Sequence, residues 1–391
     1  MNFDKKVNRY HTYCTQWDYI QDRFGRSDLL PFTISDMDFE IPEEMVNCLL
    51  KRVNHKVFGY SRWNHDDYKD AIVHWYQKRF DTTIKKDSII YSPSVIYSVS
   101  KFIELKSKKG DKILLNTPAY DGFFKTIYAN EREIVESPLE FIDGEYQINF
   151  DDFEEKCKDC RIFLFCSPHN PVGKVWSVEE IQTIIDICKK YNVYIISDEI
   201  HMDFVYEKQH MPILKFDDYR ENMMICTSAS KTFNIPSLIG SYVLIDNDND
   251  REAFLRIMKE RDAVASASIM NVLATITAYN ECGYFVDELK KYIYNNMIYT
   301  KKYITEQIPE LEFTIPDGSY FAWINYSKLQ ISSSEFQQYL VDIGEVAIMS
   351  GDTYGDAGAG YLRLNLGCSL AKVQDGLHRL KKTVDYIKTK N

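Results

Sequence analysis

Residues 223–236 read MMICTSASKTFNIP, a short apolar run followed by Ser228, Ser230 and Lys231. Such a run is typical of a buried β-strand, and the polar residues then lie just beyond its carboxyl end. Ligands of open α/β sheets bind at this edge. A lysine at this edge can form an imine with an aldehyde, if burial and nearby positive charge lower the pKa of its amine. The hydroxyls of Ser228 and Ser230 could bind phosphate oxygens. Judged alone, Lys231 is more often explained as an exposed loop residue.

Apolar runs and helical stretches alternate through the middle of the chain. KILLN (112–116), RIFLFC (161–166) and VYIIS (193–197) have the composition of buried strands, and the apolar residues of 178–191 fall on one helical face. This pattern predicts an α/β fold in which helices cover a mainly parallel central sheet.

A second region begins near residue 283. It contains a long helix candidate, followed by strand candidates at 321–325 and 361–365. We expect a large domain over residues 46–282 and a smaller α/β domain formed by residues 1–45 together with 283–391.

Composition and charge exclude several classes of protein. The net charge of −11 argues against nucleic-acid binding, because phosphate backbones require clustered Lys and Arg. We expect no signal peptide, because no long apolar run follows the first lysines, and no stretch reaches the roughly 18–20 apolar residues of a membrane span, so we also expect no membrane contact and a cytoplasmic location. The nine cysteines have no disulfide-like spacing, and the single CxxC lacks a second Cys or His pair, so we expect reduced thiols and no metal site.

Polar residues also follow two other predicted strands. Asp198, after VYIIS, could keep a pyridine nitrogen protonated and so make the ring an electron sink, while His201 could reach the 3′-oxygen of that ring. The motif DEIH alone could also indicate a helicase or a metal site, but the chain contains neither GxxxxGK[ST] nor HExxH, which argues against both. Asn170, after RIFLFC, could contact the same oxygen, or could simply form a structural turn.

Three further features suit the same ligand. The helix that starts in SPSVIYS (92–98) has free backbone N–H groups for a phosphate, although a serine-capped helix explains it equally well. Tyr120 follows KILLN and could stack on a flat ring. Arg363 lies inside an apolar strand, where an unpaired guanidinium is costly. Its partner could be a substrate carboxylate bound through two hydrogen bonds, or a carboxylate of the protein itself.

One cofactor, pyridoxal 5′-phosphate, explains Lys231, Asp198, Asn170, Tyr120 and Arg363 together. The order of NPVGKVW (170–176), SDEIHMDF (197–204), SASKTFNIP (228–236) and YLRLNLG (361–367) resembles the fold-type I pyridoxal-phosphate enzymes, the aspartate aminotransferase superfamily. SDMDF (35–39), FGYSRW (58–63) and PAYD (118–121) are most similar to its cystathionine β-lyase (cysteine-S-conjugate β-lyase) subgroup of the MalY and PatB type.

The resemblance implies further site residues. Tyr60 would reach across a homodimer interface to the cofactor phosphate of the partner subunit, and the backbone amides of Val95 and Ile96 would bind the phosphate within the subunit. Asp36 and Met37 would border the substrate carboxylate.

The chain also departs from aspartate aminotransferases. Residues 235–240, IPSLIG, lack the arginine that binds phosphate there, and His201 replaces a tyrosine. Both departures favour the lyase subgroup.

The implied activity is cleavage of cystathionine or a related cysteine S-conjugate to a thiol, pyruvate and ammonia, with Lys231 as the general base. The same residues would also serve an aminotransferase that acts on an aromatic or other neutral amino acid. An additional regulatory role through protein binding is a third possibility that the resemblance leaves open.

Overall fold

The computed structural model describes residues 1–390, which form two β-sheets surrounded by helices. In chain order the strands are β1 (Leu30–Phe32), β2 (Ile89–Ser92), β3 (Lys112–Thr117), β4 (Glu133–Ile142), β5 (Glu145–Ile148), β6 (Cys160–Cys166), β7 (Tyr194–Asp198), β8 (Met223–Thr227), β9 (Ser241–Ile245), β10 (Glu312–Phe313), β11 (Phe321–Asn325), β12 (Val346–Ser350) and β13 (Tyr361–Asn365).

The helices are α1 (Gln21–Phe24), α2 (Glu43–Asn54), α3 (Asp66–Phe80), α4 (Val95–Lys106), α5 (Asp121–Ala129), α6 (Phe150–Cys157), α7 (Val178–Tyr191), α8 (Ala229–Thr232), α9 (Asp248–Arg256), α10 (Ile269–Glu281), α11 (Gly283–Gln307), α12 (Ser333–Tyr339) and α13 (Leu370–Lys388). Within residues 1–390, none of the helices is both long and apolar enough to cross a membrane.

The larger sheet has the strand order β2-β9-β8-β7-β6-β3-β4-β5. Its centre is parallel, from β8 through β7, β6 and β3 to β4, and antiparallel strands lie at both sides. Strands β7 and β8 are buried along their whole length, which is why they read as continuous apolar runs in the sequence. The predicted mainly parallel sheet covered by helices is confirmed.

Helix α7 has the bounds that the sequence predicted. Ser177 and Glu180 form a reciprocal capping box at its start, and Asn192 ends it in the left-handed conformation at φ 56°. The side chains of Ser177 and Glu180 satisfy backbone groups at the first turn, and the backbone N–H of Asn192 donates to carbonyl oxygens of the last turn, so the local sequence fixes both ends.

The smaller sheet has the order β1-β12-β13-β11-β10. Strand β1 pairs in parallel with β12, so the N-terminal segment joins a sheet whose other strands come from residues 312–365. One buried apolar cluster extends through both sheets. The division into domains at residues 46 and 283 stays a prediction.

The loop between β12 and β13 brings two backbone segments into direct contact. A Cβ atom on Gly351 would lie 2.0 Å from the carbonyl oxygen of Gly358 and 2.7 Å from that of Tyr361. The two backbone segments therefore touch, and only glycine fits at this position.

We expect Gly351→Ala to destabilise the protein by about 1–3 kcal/mol, because the added methyl group must displace backbone rather than a mobile side chain. Denaturant or thermal unfolding would measure the loss. Gly283→Ala is the matched control, since its Cβ would lie 3.8 Å from Trp75, an ordinary contact distance. Equal stability of the two variants would contradict this packing.

Candidate active site

A cavity of about 250 Å³ lies at the carboxyl edge of the larger sheet. In the register of β6, β7 and β8, Cys166 lies opposite Asp198, which lies opposite Cys226, so the three parallel strands end together. Nine of the residues singled out from the sequence line this cavity: Val95, Ile96, Tyr120, Asn170, Asp198, His201, Ser228, Ser230 and Lys231.

Lys231 lies in the single turn of α8 that follows β8. Ser228 caps this turn by accepting a hydrogen bond from the backbone N–H of Ser230, at 3.0 Å. Burial lowers the pKa of the Lys231 amine to about 8, with Asp36 and Asp198 opposing the shift and Arg363 adding to it. An amine with this pKa is neutral in part near pH 7, as imine formation requires.

Asp198 ends strand β7 and accepts a hydrogen bond from the backbone N–H of Ile200, at 3.0 Å. Burial raises the pKa of its carboxyl to about 7. A buried carboxylate is stabilised by a cationic partner, and a protonated pyridine nitrogen is such a partner.

His201 is neutral, because burial lowers its pKa to about 3 and the charges of Lys231 and Arg363 add to the shift. Its Nδ1 is buried and has no hydrogen-bond partner within residues 1–390. A buried polar atom without a partner is costly, so this nitrogen is available to a ligand.

Arg363, in β13, is buried against aromatic rings, with its guanidinium carbon 4.0 Å from the ring centre of Phe321 and 4.7 Å from that of Tyr354. It donates to Asn170 Oδ1 at 3.2 Å and to the carbonyl oxygen of Thr33 at 2.9 Å. Its Nε has no hydrogen-bond partner, and no carboxylate of residues 1–390 pairs with it. The structure therefore favours an external carboxylate over the internal ion pair that the sequence left open.

Residues 33–39 cross from the smaller sheet to the cavity. The carboxylate of Asp36 pairs with Arg9. The side chain of Met37 is buried, and its backbone N–H donates to Asn234 Oδ1 at 2.9 Å. The side chain of this segment that reaches the cavity is that of Ser35, whose Oγ accepts a hydrogen bond from Lys231 Nζ at 2.5 Å. Ser35 was not among the site residues predicted from the sequence, because a serine in a loop carries no pattern of its own.

The start of α4, which also lines the cavity, has the features of a phosphate site. Ser94 caps α4 by accepting from the N–H of Tyr97 at 3.1 Å, which leaves Val95 and Ile96 in the first turn, where N–H groups have no partner inside the helix. Ser228 Oγ is already engaged, since it donates to the carbonyl oxygen of Gly240 at 2.7 Å.

The two aromatic residues of the predicted site differ in position. Tyr120 lines the cavity with its ring edge-to-face against Phe123, 5.4 Å between centres. Tyr60 is 100% exposed and belongs to a separate surface hollow that contains Trp63 and Lys259. The single chain thus does not bring Tyr60 to the cavity.

Comparison with known proteins identifies relatives over nearly the whole chain. Residues 27–380 match the family described as aminotransferase class I and II. The chain is 41% identical to protein MalY of Escherichia coli (strain K12), over 96% of this chain and 97% of that protein. It is 36% identical to cystathionine beta-lyase PatB of Bacillus subtilis (strain 168), over 97% and 99% of the two chains. The crystal structure of the PLP-bound C-S lyase from Staphylococcus hominis superposes with a TM-score of 0.92 at 28% identity, covering 98% of each chain.

We expect Lys231 to react with an aldehyde at lower pH than an ordinary lysine. Its amine is protonated below about pH 8 and neutral above it. Incubation of the cofactor-stripped chain with pyridoxal 5′-phosphate between about pH 6 and pH 10, borohydride reduction and peptide mass spectrometry should give a labelling midpoint near 8. The exposed Lys109 reports non-specific labelling in the same digest. A Lys231 midpoint near 10 would contradict the burial described above.

Proposed function

This chain belongs to the class I and II aminotransferase family, and from that membership we propose that it is a pyridoxal-phosphate-dependent carbon–sulfur β-lyase. It cleaves cystathionine or related cysteine S-conjugates to a thiol, pyruvate and ammonia. The observation that carries the proposal is a partly buried lysine with a lowered pKa that lines the cavity, together with the buried Arg363, which bonds the cavity-lining Asn170 and has no anionic partner in residues 1–390. The relatives named as cystathionine β-lyase and C-S lyase support the choice of reaction.

The residues of the cavity fit pyridoxal 5′-phosphate. Lys231 would bind its aldehyde carbon, Asp198 its pyridine nitrogen, and Tyr120 the face of its ring. Asn170 and His201 would contact its 3′-oxygen, while the amides of Val95 and Ile96 with the hydroxyl of Ser230 would bind its phosphate. The Ser228 hydroxyl, expected from the sequence to join them, donates its proton to Gly240 instead. When bound, this cofactor withdraws electrons and so stabilises negative charge at the Cα atom of an amino acid.

The protein groups then have separate tasks. Arg363 binds the α-carboxylate through two parallel hydrogen bonds and, with Asn170, fixes the orientation of the Cα–H bond. The neutral Nζ of Lys231 removes the Cα proton as general base, and its pKa of about 8 suits this task near neutral pH. Asp36 and Met37 border this end of the site through the backbone that carries Ser35.

We place Tyr60 in the site of a partner subunit. Its side chain is fully exposed, and Val57 and Phe58 beside it are exposed as well. Neighbouring exposed aromatic and apolar side chains mark a protein interface. This surface supports a homodimer in which each Tyr60 reaches the phosphate end of the other cavity, where IPSLIG supplies no arginine. The cytoplasmic location stays a prediction.

Transamination of an aromatic or other neutral amino acid uses the same Lys231, Asp198 and Arg363, and the family name admits it. The two reactions differ in their requirement for a keto acid. A regulatory protein-binding role stays a prediction.

Incubation with cystathionine in the absence of any keto acid should release pyruvate together with a free thiol. Both products should disappear in Lys231→Ala, which lacks the base. Pyruvate measured with lactate dehydrogenase and thiol measured with a chromogenic disulfide give independent readings. Product that forms only after a keto acid is added would replace the lyase assignment with an aminotransferase.

Arg363→Lys should raise KM for the amino acid about 10- to 100-fold, since hydrogen bonds to a charged group contribute about 1.5–3 kcal/mol. A lysine retains the charge but cannot form the paired hydrogen bonds. Steady-state kinetics measure the change. Arg161→Gln is the control, because Arg161 is exposed near the opposite end of β6. An unchanged KM in Arg363→Lys would exclude Arg363 from carboxylate binding.

A further inference from the structure

We propose that the hydroxyl of Ser35 positions the free amine of Lys231 and sustains its basicity. The inference deepens the proposed function, because it rests on Lys231 as the group that removes the Cα proton. Ser35 acts through Lys231 and is therefore a positioning residue.

The contact itself is direct. Lys231 Nζ donates to Ser35 Oγ at 2.5 Å, and this is the only hydrogen bond of Nζ within residues 1–390. A lysine side chain has four rotatable bonds, so a single partner decides where its nitrogen points. The carboxylates of Asp36 and Asp198 act on the amine through space without bonding to it.

Ser35 is itself held on both sides. Its carbonyl oxygen accepts a hydrogen bond from the hydroxyl of the buried Tyr320 at 2.6 Å. Asn365 Nδ2 donates to the carbonyl oxygens of Ile34 at 2.6 Å and of Asp36 at 2.8 Å. The hydroxyl is thus presented from a fixed backbone, as a positioning group must be.

The same segment also anchors the carboxylate end of the site. Thr33, two residues before Ser35, accepts a hydrogen bond from Arg363 Nη2 through its carbonyl oxygen at 2.9 Å. The backbone between Thr33 and Ser35 therefore helps to set the distance between Arg363, which binds the carboxylate, and Lys231, which removes the proton.

The proton balance defines the expected effect. The neutral Nζ accepts the Cα proton and becomes an ammonium group, which donates to Ser35 Oγ, while the serine keeps its own proton and no bond of Ser35 breaks. A hydrogen bond to the ammonium is stronger than one to the neutral amine. The hydroxyl therefore favours the protonated form and opposes the effect of burial, so its removal should lower the pKa of Lys231 further.

The test compares Ser35→Ala with Ser35→Thr, which retains a hydroxyl, and with Ser35→Cys, which has similar size but hydrogen-bonds weakly. The first reading is the pH midpoint of Lys231 labelling by pyridoxal 5′-phosphate, which needs no turnover. We expect the midpoint to move to lower pH in Ser35→Ala and to stay near that of the unmodified protein in Ser35→Thr.

The second reading uses the holoenzyme and L-alanine in deuterium oxide, with exchange of the Cα proton followed by NMR. The maximum rate of this exchange should fall about three- to tenfold in Ser35→Ala, because the amine of Lys231 is then less well oriented toward the Cα proton. Ser35→Thr should restore most of it, Ser35→Cys should lie between, and KM for L-alanine should stay within about twofold, because Arg363 keeps its contacts.

Three outcomes separate the explanations. A raised KM with an unmoved midpoint would mean that the substitution only loosens residues 33–37, and would overturn the proposal. An unmoved midpoint with an unchanged exchange rate in Ser35→Ala would overturn it as well. If the unmodified protein neither exchanges the proton nor releases pyruvate, while the midpoint still moves, the proposed function fails and the link between Ser35 and Lys231 stands.

Discussion

The desolvation of charged groups at the edge of the larger sheet governs this molecule. Asp198 and Arg363 are buried and Lys231 is partly buried near one cavity, and burial shifts the pKa of the lysine down and that of the carboxyl up. Each shift brings a group toward the protonation state that is easier to bury, and so toward reactivity near neutral pH. A ligand that carries a carboxylate and a cationic ring nitrogen would compensate both Arg363 and Asp198.

The sheet makes this arrangement possible because its central strands are parallel. Strands β6, β7 and β8 end at one edge, and the residues at or just beyond their ends, Asn170, Asp198 and Lys231, meet there although they are distant in the chain. The interiors of these strands are apolar on both faces, which holds the strand ends in place.

The smaller sheet completes the site from the other side. It supplies Arg363 from β13, and β1 of the same sheet leads into residues 33–39. Asn365 and Asn234 bind the backbone of this segment, so both sheets fix its position. The contact of Arg363 with the carbonyl oxygen of Thr33 and the hydroxyl of Ser35 are consequently only two peptide bonds apart. Neither sheet alone could fix both positions.

The sequence by itself determined the local structure and the chemical character of the site. The apolar runs located β6, β7 and β8, the apolar face of residues 178–191 located α7, and the polar strand ends located Asp198, Asn170 and Lys231, because these signals depend on neighbours along the chain. Tertiary structure alone decided that Ser35 contacts a lysine 196 positions away, that Asp36 forms an ion pair with Arg9, and that Arg363 has no carboxylate partner in residues 1–390. It also decided that Tyr60 points to solvent in the single chain. Burial and pairing are properties of surfaces that come together only when β1 joins β12 across more than 300 residues, and no local pattern encodes them.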